Sequence, residues 1–382
     1  MPTLPPFANP KLKDMMKDER AHLQLFDLIA RDWRLESPVT GVRFNASDTA
    51  VAFASADGSI HLAATADKES PNGRVKRAVD TGRLTIAPRA KPHAPLKPAD
   101  FTAGRSSGVV AFGANNFAFA KADGRVNSLT PGGIAVHLPA KAAEAISALA
   151  IALDGTRMAY ACGARITLTA TVANEATHFD APAAVTALEF SPDGQVLAAG
   201  HAGGLSRWRI DTPDQPVLTP MASAPTGIIW RADAAWLGCL LQGDGFALID
   251  LTTDHLHVQT GFPAPVGSLG FGLSTNTVAA SGAFRVAAWD LADQGAVLSG
   301  KAGLLLIDRL AVSPTRNLVA VGYANGLLSL AEIGRPSEIL LREDTGAGFT
   351  AMAWSANGTY LAMAGTDGSA ALIEFPESMF KS

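Results

Sequence analysis

The pair His255 and His257 has the spacing that a metal site on a strand would use. Two residues apart on a strand, both imidazoles lie on one face and within reach of a common ion. Two histidines leave a coordination shell incomplete, and we expect this stretch to be an exposed outer strand. The sequence therefore predicts no metal site here and no bound cofactor.

Three recognised catalytic spacings are absent from the sequence. The chain has no Gly-rich loop ending in Lys-Ser/Thr, no His-Glu-x-x-His and no Cys-x-x-Cys. The two cysteines, Cys162 and Cys239, lie in apolar alternating stretches and are interpreted as small buried hydrophobic residues. We predict that the protein is not an enzyme, although an active site can also gather residues from distant parts of a chain.

The elements that position these residues come from one pattern that recurs eight times. Each copy has an alternating apolar run closed by a large residue, a turn, a second run, a tight turn and a third run. The closing residues are Phe44, Phe112, Ile151, Phe190, Trp230, Phe271, Val312 and Trp354. By subtraction they are 68, 39, 39, 40, 41, 41 and 42 residues apart, close to the period of about 40–45 residues of a four-stranded propeller blade.

Alternation with a period of two makes half-buried strands, and Asp-Gly or Ser-Pro-Asp-Gly supplies the turns that hairpins need. One such sheet cannot bury both faces, so neighbouring sheets stack around a ring. The sequence predicts an all-β closed propeller of four-stranded antiparallel blades. Eight blades are expected and seven remain the alternative, with a degenerate first blade appended to the ring.

The sequence resembles the WD-repeat family, in degenerate bacterial forms, over residues 38–375. The resemblance rests on the run Phe190-Ser191-Pro192-Asp193-Gly194, the tight turns Asp57-Gly58, Asp123-Gly124, Asp244-Gly245 and Asp367-Gly368, and the strand ends Trp208-Arg209 and Trp289-Asp290. It implies that an N-terminal strand completes the last blade, for which Trp33-Arg34-Leu35 is the candidate.

Three segments fall outside the repeats. Residues 1–37 carry the closing strand and a predicted amphipathic helix over 10–31, with apolar positions such as Met15, Met16 and Phe26. Residues 376–382 form a C-terminal tail. Residues 68–105 hold nine Lys and Arg against three acids, and this basic Pro-rich insertion is either a solvated loop or a docking element.

The first residues of the inner strands are mostly hydroxylic: Thr40, Ser107 or Gly108, Ser147, Thr186, Thr226, Ser268, Asp308 and Thr350. In a closed propeller they would form a ring. We predict that they bond to backbone groups at the strand starts, and a ligand role is the alternative.

Basic residues follow the tight turn between second and third strands at Arg125, Arg165 and Arg285. The family resemblance implies that this turn lies on a face that docks partners. The candidate partner-binding residues on this rim are Lys121, Arg125, Arg165, His201, Gln242, Arg285 and Tyr323. Lys121, Arg125 and Arg165 would suit an acidic peptide or loop; the alternative is a solvated rim.

Composition limits the other classes of function. The chain carries 48% hydrophobic residues and a net charge of −4, and has no run of 18 apolar residues and no N-terminal apolar leader. The sequence does not predict nucleic-acid binding, because only the insertion is basic. We therefore predict a cytoplasmic scaffold or adaptor that binds protein and no membrane; the rival is a propeller enzyme or a small-ligand or metal binder at the channel mouth.

Overall fold

The computed structural model of the protein describes residues 23–77, 79, 84–101, 108–173, 175–243 and 245–380. Within these residues the chain forms eight four-stranded antiparallel sheets and one two-stranded sheet. Residues 10–22 of the predicted helix, with Met15 and Met16, lie outside the described residues, as do Ser107 and Asp244.

The first four blades follow the chain from the innermost to the outermost strand. Blade 1 contains β2 (Val39–Phe44), β3 (Ala50–Ser55), β4 (Ile60–Ala64) and β7 (Lys97–Pro98). Blade 2 contains β8 (Val109–Phe112), β9 (Asn116–Ala120), β10 (Arg125–Leu129) and β11 (Ala135–Lys141). Blade 3 contains β12 (Ala148–Ile151), β13 (Arg157–Cys162), β14 (Arg165–Ala170) and β15 (Ala176–Asp180). Blade 4 contains β16 (Val185–Phe190), β17 (Val196–His201), β18 (Gly204–Arg209) and β19 (Thr212–Pro220).

The last four blades have the same order, with one exception in the final sheet. Blade 5 contains β20 (Pro225–Trp230), β21 (Trp236–Leu241), β22 (Phe246–Asp250) and β23 (His255–Gln259). Blade 6 contains β24 (Leu269–Gly272), β25 (Thr277–Ala280), β26 (Val286–Asp290) and β27 (Ala296–Ser299). Blade 7 contains β28 (Ile307–Val312), β29 (Leu318–Tyr323), β30 (Leu328–Glu332) and β31 (Glu338–Arg342). Blade 8 contains β32 (Phe349–Trp354), β33 (Tyr360–Gly365) and β34 (Ser369–Glu374), and takes its outermost strand from the N-terminal side of the chain, β1 (Ala30–Arg34).

Side-chain hydrogen bonds set the turns that end the inner strands. In blade 4 the Ser191 hydroxyl donates to Asp193 Oδ1, which also accepts from the backbone N–H of Gln195 at 3.0 Å. The Ser191 hydroxyl in turn accepts from the N–H of Val196 at 2.9 Å. Gly194 has φ of +68°, a conformation that favours glycine. This local bonding explains why a Ser-Pro-Asp-Gly run produces a hairpin turn.

The ring closes between blade 8 and blade 1. Strand β2 contacts β8 of the next blade on one side and β32 of the last blade on the other. The seam between blades 1 and 8 buries Val51 and Phe53 against Ala362 and Leu372. The prediction of eight closed blades is confirmed, and the seven-blade alternative is not the one that the chain adopts.

Strand β1 completes blade 8, as the candidate closing strand predicted. Its residues pair antiparallel with β34, from Ala30 opposite Ile373 to Arg34 opposite Ser369. Just before it, the short helix α1 (Leu25–Ile29) buries Phe26 and Ile29 against the same blade. The described part of the predicted helix is therefore five residues long, and the strand begins at Ala30, before the predicted helix end at residue 31.

The basic insertion contains structured segments that belong to the propeller. Its described residues form a short helix α2 (Pro71–Arg74), a hairpin of β5 (Val75–Arg77) and β6 (Leu84–Ile86), and β7, the outer strand of blade 1. The Ser70 hydroxyl donates to the Glu374 carboxylate of β34, and Asn72 Nδ2 donates to the same oxygen at 3.1 Å. The insertion thus packs against the blade that closes the ring.

A polar latch joins the insertion, the closing strand and blade 1. Arg31 of β1 donates to the carbonyl oxygens of Ala64 at 2.8 Å and Thr65 at 2.9 Å. Its guanidinium also lies 3.8 Å from Asp67, which accepts two hydrogen bonds from Arg89 at 2.6 and 3.0 Å. We call Arg31, Asp67 and Arg89 the closure latch, because it ties blade 8 to blade 1 across the seam.

Acid unfolding provides a test of the closure latch. Although burial opposes the effect, hydrogen bonds from Arg89 and from the backbone of Glu69, and the nearby charges of Arg31 and Arg89, lower the pKa of Asp67 from 3.8 to about 2. A carboxyl group whose pKa falls on folding stabilises the folded state above its unfolded pKa, and that stabilisation is lost as the pH falls toward the folded pKa. We expect the urea-unfolding free energy to decrease between about pH 4 and pH 2, and to decrease less steeply in Asp67→Asn. If the unfolding free energies of the two proteins fell in parallel as the pH decreased, the Asp67 carboxylate would not stabilise the closure of the ring.

Candidate protein-binding face

The two faces of the ring are made by different turns. We call the face formed by the turns between second and third strands the rim face, and the other, formed by the turns between first and second strands, the opposite face. The rim-face turns are residues 56–59, 121–124, 163–164, 202–203, 242–245, 281–285, 324–327 and 366–368, of which 244 is not described.

The two arginines of blades 2 and 3 lie exposed on the rim face, each beside its own acid. The Arg125 side chain is 45% exposed, with Nε 3.7 Å from Asp123. The Arg165 side chain is 64% exposed, with Nε 3.1 Å from Asp180 on the adjacent strand. Lys121 is half-buried, and its Nζ lies 5.9 Å from the ring centroid of Phe101. These two ion pairs partly neutralise the positive charge of Lys121, Arg125 and Arg165. The sequence alone does not indicate this pairing.

Gln242 and Arg285, two further residues predicted to bind a partner, differ in exposure and in hydrogen bonding. Gln242 is exposed in the turn of blade 5. Arg285 of blade 6 is half-buried, and its Nε donates to the carbonyl oxygens of Ser299 at 3.1 Å and Gly300 at 3.0 Å. Arg285 therefore holds the segment that follows β27, while Gln242 leaves its side chain open to solvent.

His201 and Tyr323 are buried, so their side chains offer no contact surface to a partner. His201 is 0% exposed, its Nδ1 accepts from the N–H of Gly203 at 3.1 Å, and its Nε2 therefore carries the proton that is donated to Ser206 at 2.9 Å. Burial lowers the pKa of His201. Tyr323 is 6% exposed and its hydroxyl donates to the Glu338 carboxylate at 2.8 Å. Both residues end second strands, which are covered by neighbouring blades on both sides.

The hydroxylic residues at the inner-strand starts bond to backbone groups, as predicted. Four of them donate to the carbonyl oxygen of a residue on the next strand of their own blade: Thr40 to Ala54, Ser147 to Ala161, Thr186 to Gly200 and Thr226 to Leu240. Three bonds of these residues reach the next blade. Thr186 also donates to the carbonyl oxygen of Pro225, Thr350 donates to that of Val39, and the Ser268 hydroxyl accepts from the N–H of Leu310. These bonds fix the register between blades.

The histidine pair lies on β23, the outer strand of blade 5, where the sequence places it. The rings of His255 and His257 are 4.5 Å apart between centroids, and burial, followed by the nearby His255, lowers the pKa of His257. Among the described residues no group of three or more His, Cys, Asp or Glu side chains has the arrangement of a metal site.

Sequence reasoning did not single out the charged residues of the central channel. Arg43 of β2 and Glu189 of β16 line a cavity of about 560 Å³ at the mouth of the channel on the opposite face. Each directly precedes the large residue that closes its inner strand, Phe44 or Phe190. A search of that one position in all eight repeats would have found them.

Comparison with known proteins agrees with the repeat architecture. The family model described as WD domain, G-beta repeat (WD40), matches residues 174–207, which include the Ser-Pro-Asp-Gly turn of blade 4. The chain is an eight-bladed β-propeller with one segment that matches the WD repeat. The match covers the outer strand of blade 3 and most of the first three strands of blade 4.

Solved structures with the same fold cover nearly the whole chain. The computationally designed Ika8 protein has a TM-score of 0.66 at 21% identity and covers 92% of this chain and 100% of its own. U3-55K has a TM-score of 0.53 at 15% identity, covering 91% and 98%. The RRP9 WD40 repeats have a TM-score of 0.52 at 15% identity, covering 91% and 97%. At these identities the likeness shows the fold.

No curated protein matches the chain in sequence. In the part of the chain that the structure describes, no helix has the length and apolar character needed to cross a membrane.

Proposed function

We propose that this propeller is a non-enzymatic scaffold that binds a protein partner through its rim face. WD-repeat propellers are typically protein-interaction scaffolds. The observation that carries the proposal is the placement of Arg125 and Arg165 at equivalent positions of neighbouring blades, with 45% and 64% of their side chains exposed.

The partner chemistry that suits this surface is an acidic segment. Surface ion pairs such as Arg125 with Asp123 and Arg165 with Asp180 contribute little to stability, because water and salt screen exposed charges. Carboxylates of a partner can therefore displace them and accept bidentate hydrogen bonds from the same guanidinium groups. Lys121 and Gln242 would border such a contact. Because the ring is rigid, the surface needs little ordering on binding.

A charge-reversal experiment tests the proposal. We expect the double variant Arg125→Glu, Arg165→Glu to lose a protein that the wild type captures from its native cell lysate, and to bind a synthetic glutamate-rich peptide about tenfold or more weakly. Peptide affinity is measured by fluorescence anisotropy at two salt concentrations. Binding to the wild type should weaken at high salt, since exposed charges are screened.

The matched control is Arg209→Glu. Arg209 is also an exposed arginine paired with a neighbouring aspartate, Asp211 at 2.9 Å, but it lies at the other end of a third strand. We expect Arg209→Glu to keep wild-type binding. Equal losses in this control and in the double variant would show a general charge effect and overturn the rim-face proposal, as would unchanged binding in the double variant.

A further inference from the structure

The inner strands present one ring of equivalent residues to the channel, next to their closing residues. These are Arg43, Ala111, Ala150, Glu189, Ile229, Gly270, Ala311 and Ala353. Five of them line the cavity at the channel mouth: Arg43, Ala111, Ala150, Glu189 and Ile229. Six members of the ring are Gly, Ala or Ile, so the two charged members stand out against an apolar wall.

The cavity opens on the opposite face, between the turns of blades 2 to 5. Its volume of about 560 Å³ falls in the range of about 300–1,000 Å³ that small-molecule sites occupy. Its wall is largely aliphatic, with Ile151, Leu153 and Ile229 among the lining residues. Because the rim face lies at the other end of the channel, this site is separate from the proposed protein-binding residues.

Glu189 is the acidic side chain of this cavity. Its carboxylate is partly buried, burial raises its pKa, and the charge of Arg43 has the opposite effect. No protein hydrogen bond to the carboxylate contributes to this shift among the described residues. A desolvated carboxylate without donors is unfavourable, so a ligand that supplies them gains binding free energy.

Arg43 supplies the complementary charge. Its exposed side chain lines the same cavity as Glu189, and its positive charge acts to lower the pKa of that carboxyl group. A guanidinium is a planar fork of donors that matches a carboxylate. One acid and one base in an aliphatic cavity complement a molecule that carries both charges and an apolar body.

We propose that the channel mouth binds a small zwitterion with an aliphatic body. Its ammonium group contacts Glu189, its carboxylate contacts Arg43, and its side chain packs against Ile151, Leu153 and Ile229. Free aliphatic amino acids and short aliphatic peptides share this chemistry. This binding activity goes beyond the scaffold function, and its failure would leave the rim-face proposal standing.

Calorimetric titration with four probes tests the proposal. L-leucine and the dipeptide leucyl-leucine carry both charges, isopentylamine carries only the ammonium group, and 4-methylpentanoate carries only the carboxylate. We expect at least one zwitterion to bind the full chain, and each single-charge probe to bind about tenfold or more weakly than it. Whichever of the two zwitterions binds more tightly shows whether the site prefers an amino acid or a peptide.

Variants assign the contacts. We expect Glu189→Gln and Arg43→Gln each to weaken binding of the zwitterion about tenfold or more. The matched controls Glu175→Gln and Arg335→Gln remove one exposed charge each from outside the cavity and should bind as the wild type does. Thermal unfolding of every variant checks that it folds. Ile229→Trp fills the cavity without changing a charge and should also abolish binding.

Three results would overturn the proposal. The first is that neither zwitterion binds the wild type at millimolar concentration. The second is that Glu189→Gln and Arg43→Gln bind as tightly as the wild type. The third is that isopentylamine or 4-methylpentanoate binds as tightly as the zwitterions, which would show that one of the two charges takes no part.

Discussion

Replacing Arg31 with methionine is expected to lower the free energy of unfolding by about 3 to 5 kcal/mol, the range for breaking a buried ion pair by removing one partner. Arg31 is 7% exposed and holds the carbonyl oxygens of Ala64 and Thr65. Methionine keeps much of the side-chain volume but leaves these acceptors without a donor and removes one cation beside Asp67. Equilibrium urea unfolding followed by tryptophan fluorescence measures the difference.

The control lies three residues along the same strand. Arg34 pairs with Asp367 at 2.6 Å, but its side chain is 67% exposed. Arg34→Met is expected to change the free energy of unfolding by about 1 kcal/mol or less, because exposed ion pairs contribute little. If the two variants lost similar amounts of unfolding free energy, the effect would be general to strand β1. The closure latch would then have no special part in stability.

Replacing Phe53 with alanine is expected to lower the free energy of unfolding by about 3 to 5 kcal/mol. Phe53 is 0% exposed and packs at the seam between blades 1 and 8, with its ring centroid 6.1 Å from that of Trp33 in the closing strand. The loss combines the transfer of an aromatic ring to water with a cavity that the rigid ring of blades cannot collapse. Differential scanning calorimetry and urea unfolding measure it.

Phe284→Ala is the matched control for the seam. Phe284 lies in a rim-face turn and is 46% exposed. Its removal is expected to change the free energy of unfolding by about 1 kcal/mol or less, since half of the side chain is already in water. If Phe53→Ala lost no more than this control, the seam would contribute little to stability and the ring would be held by its other blades.

Local patterns in the sequence were sufficient for much of this architecture. Alternating runs and turns such as Ser191-Pro192-Asp193-Gly194 are bonded within a few residues, as the hydrogen bonds of that turn show. The hydroxyl groups of Thr40 and Thr226 bond to the neighbouring strand for the same reason. The closing strand followed from the family resemblance and from the need of the last blade for an outer strand.

Exposure on the rim could not be predicted in the same way. His201 and Tyr323 end strands that have a neighbouring blade on each face. In such strands an alternation of apolar and polar residues does not distinguish exposed from buried side chains. Arg125 pairs with Asp123 of the preceding turn, and Arg165 pairs with Asp180 of the adjacent strand. The geometry of these ion pairs depends on how the strands are aligned. The insertion also looked like a single loop, although Lys97–Pro98 within it forms the outer strand of blade 1.

The sequence by itself determined the repeated four-stranded blades and their order along the chain, because strand alternation and turn bonding act over a few residues and repeat along the chain. Only the tertiary structure decided which charges meet. Arg31 reaches Asp67 and Arg89 because the ring brings the first and last blades together. Arg43 and Glu189 share a cavity because closure brings the inner strands of blades 1 and 4 around one channel. Such proximity depends on how the blades stack and close, which no short-range pattern encodes.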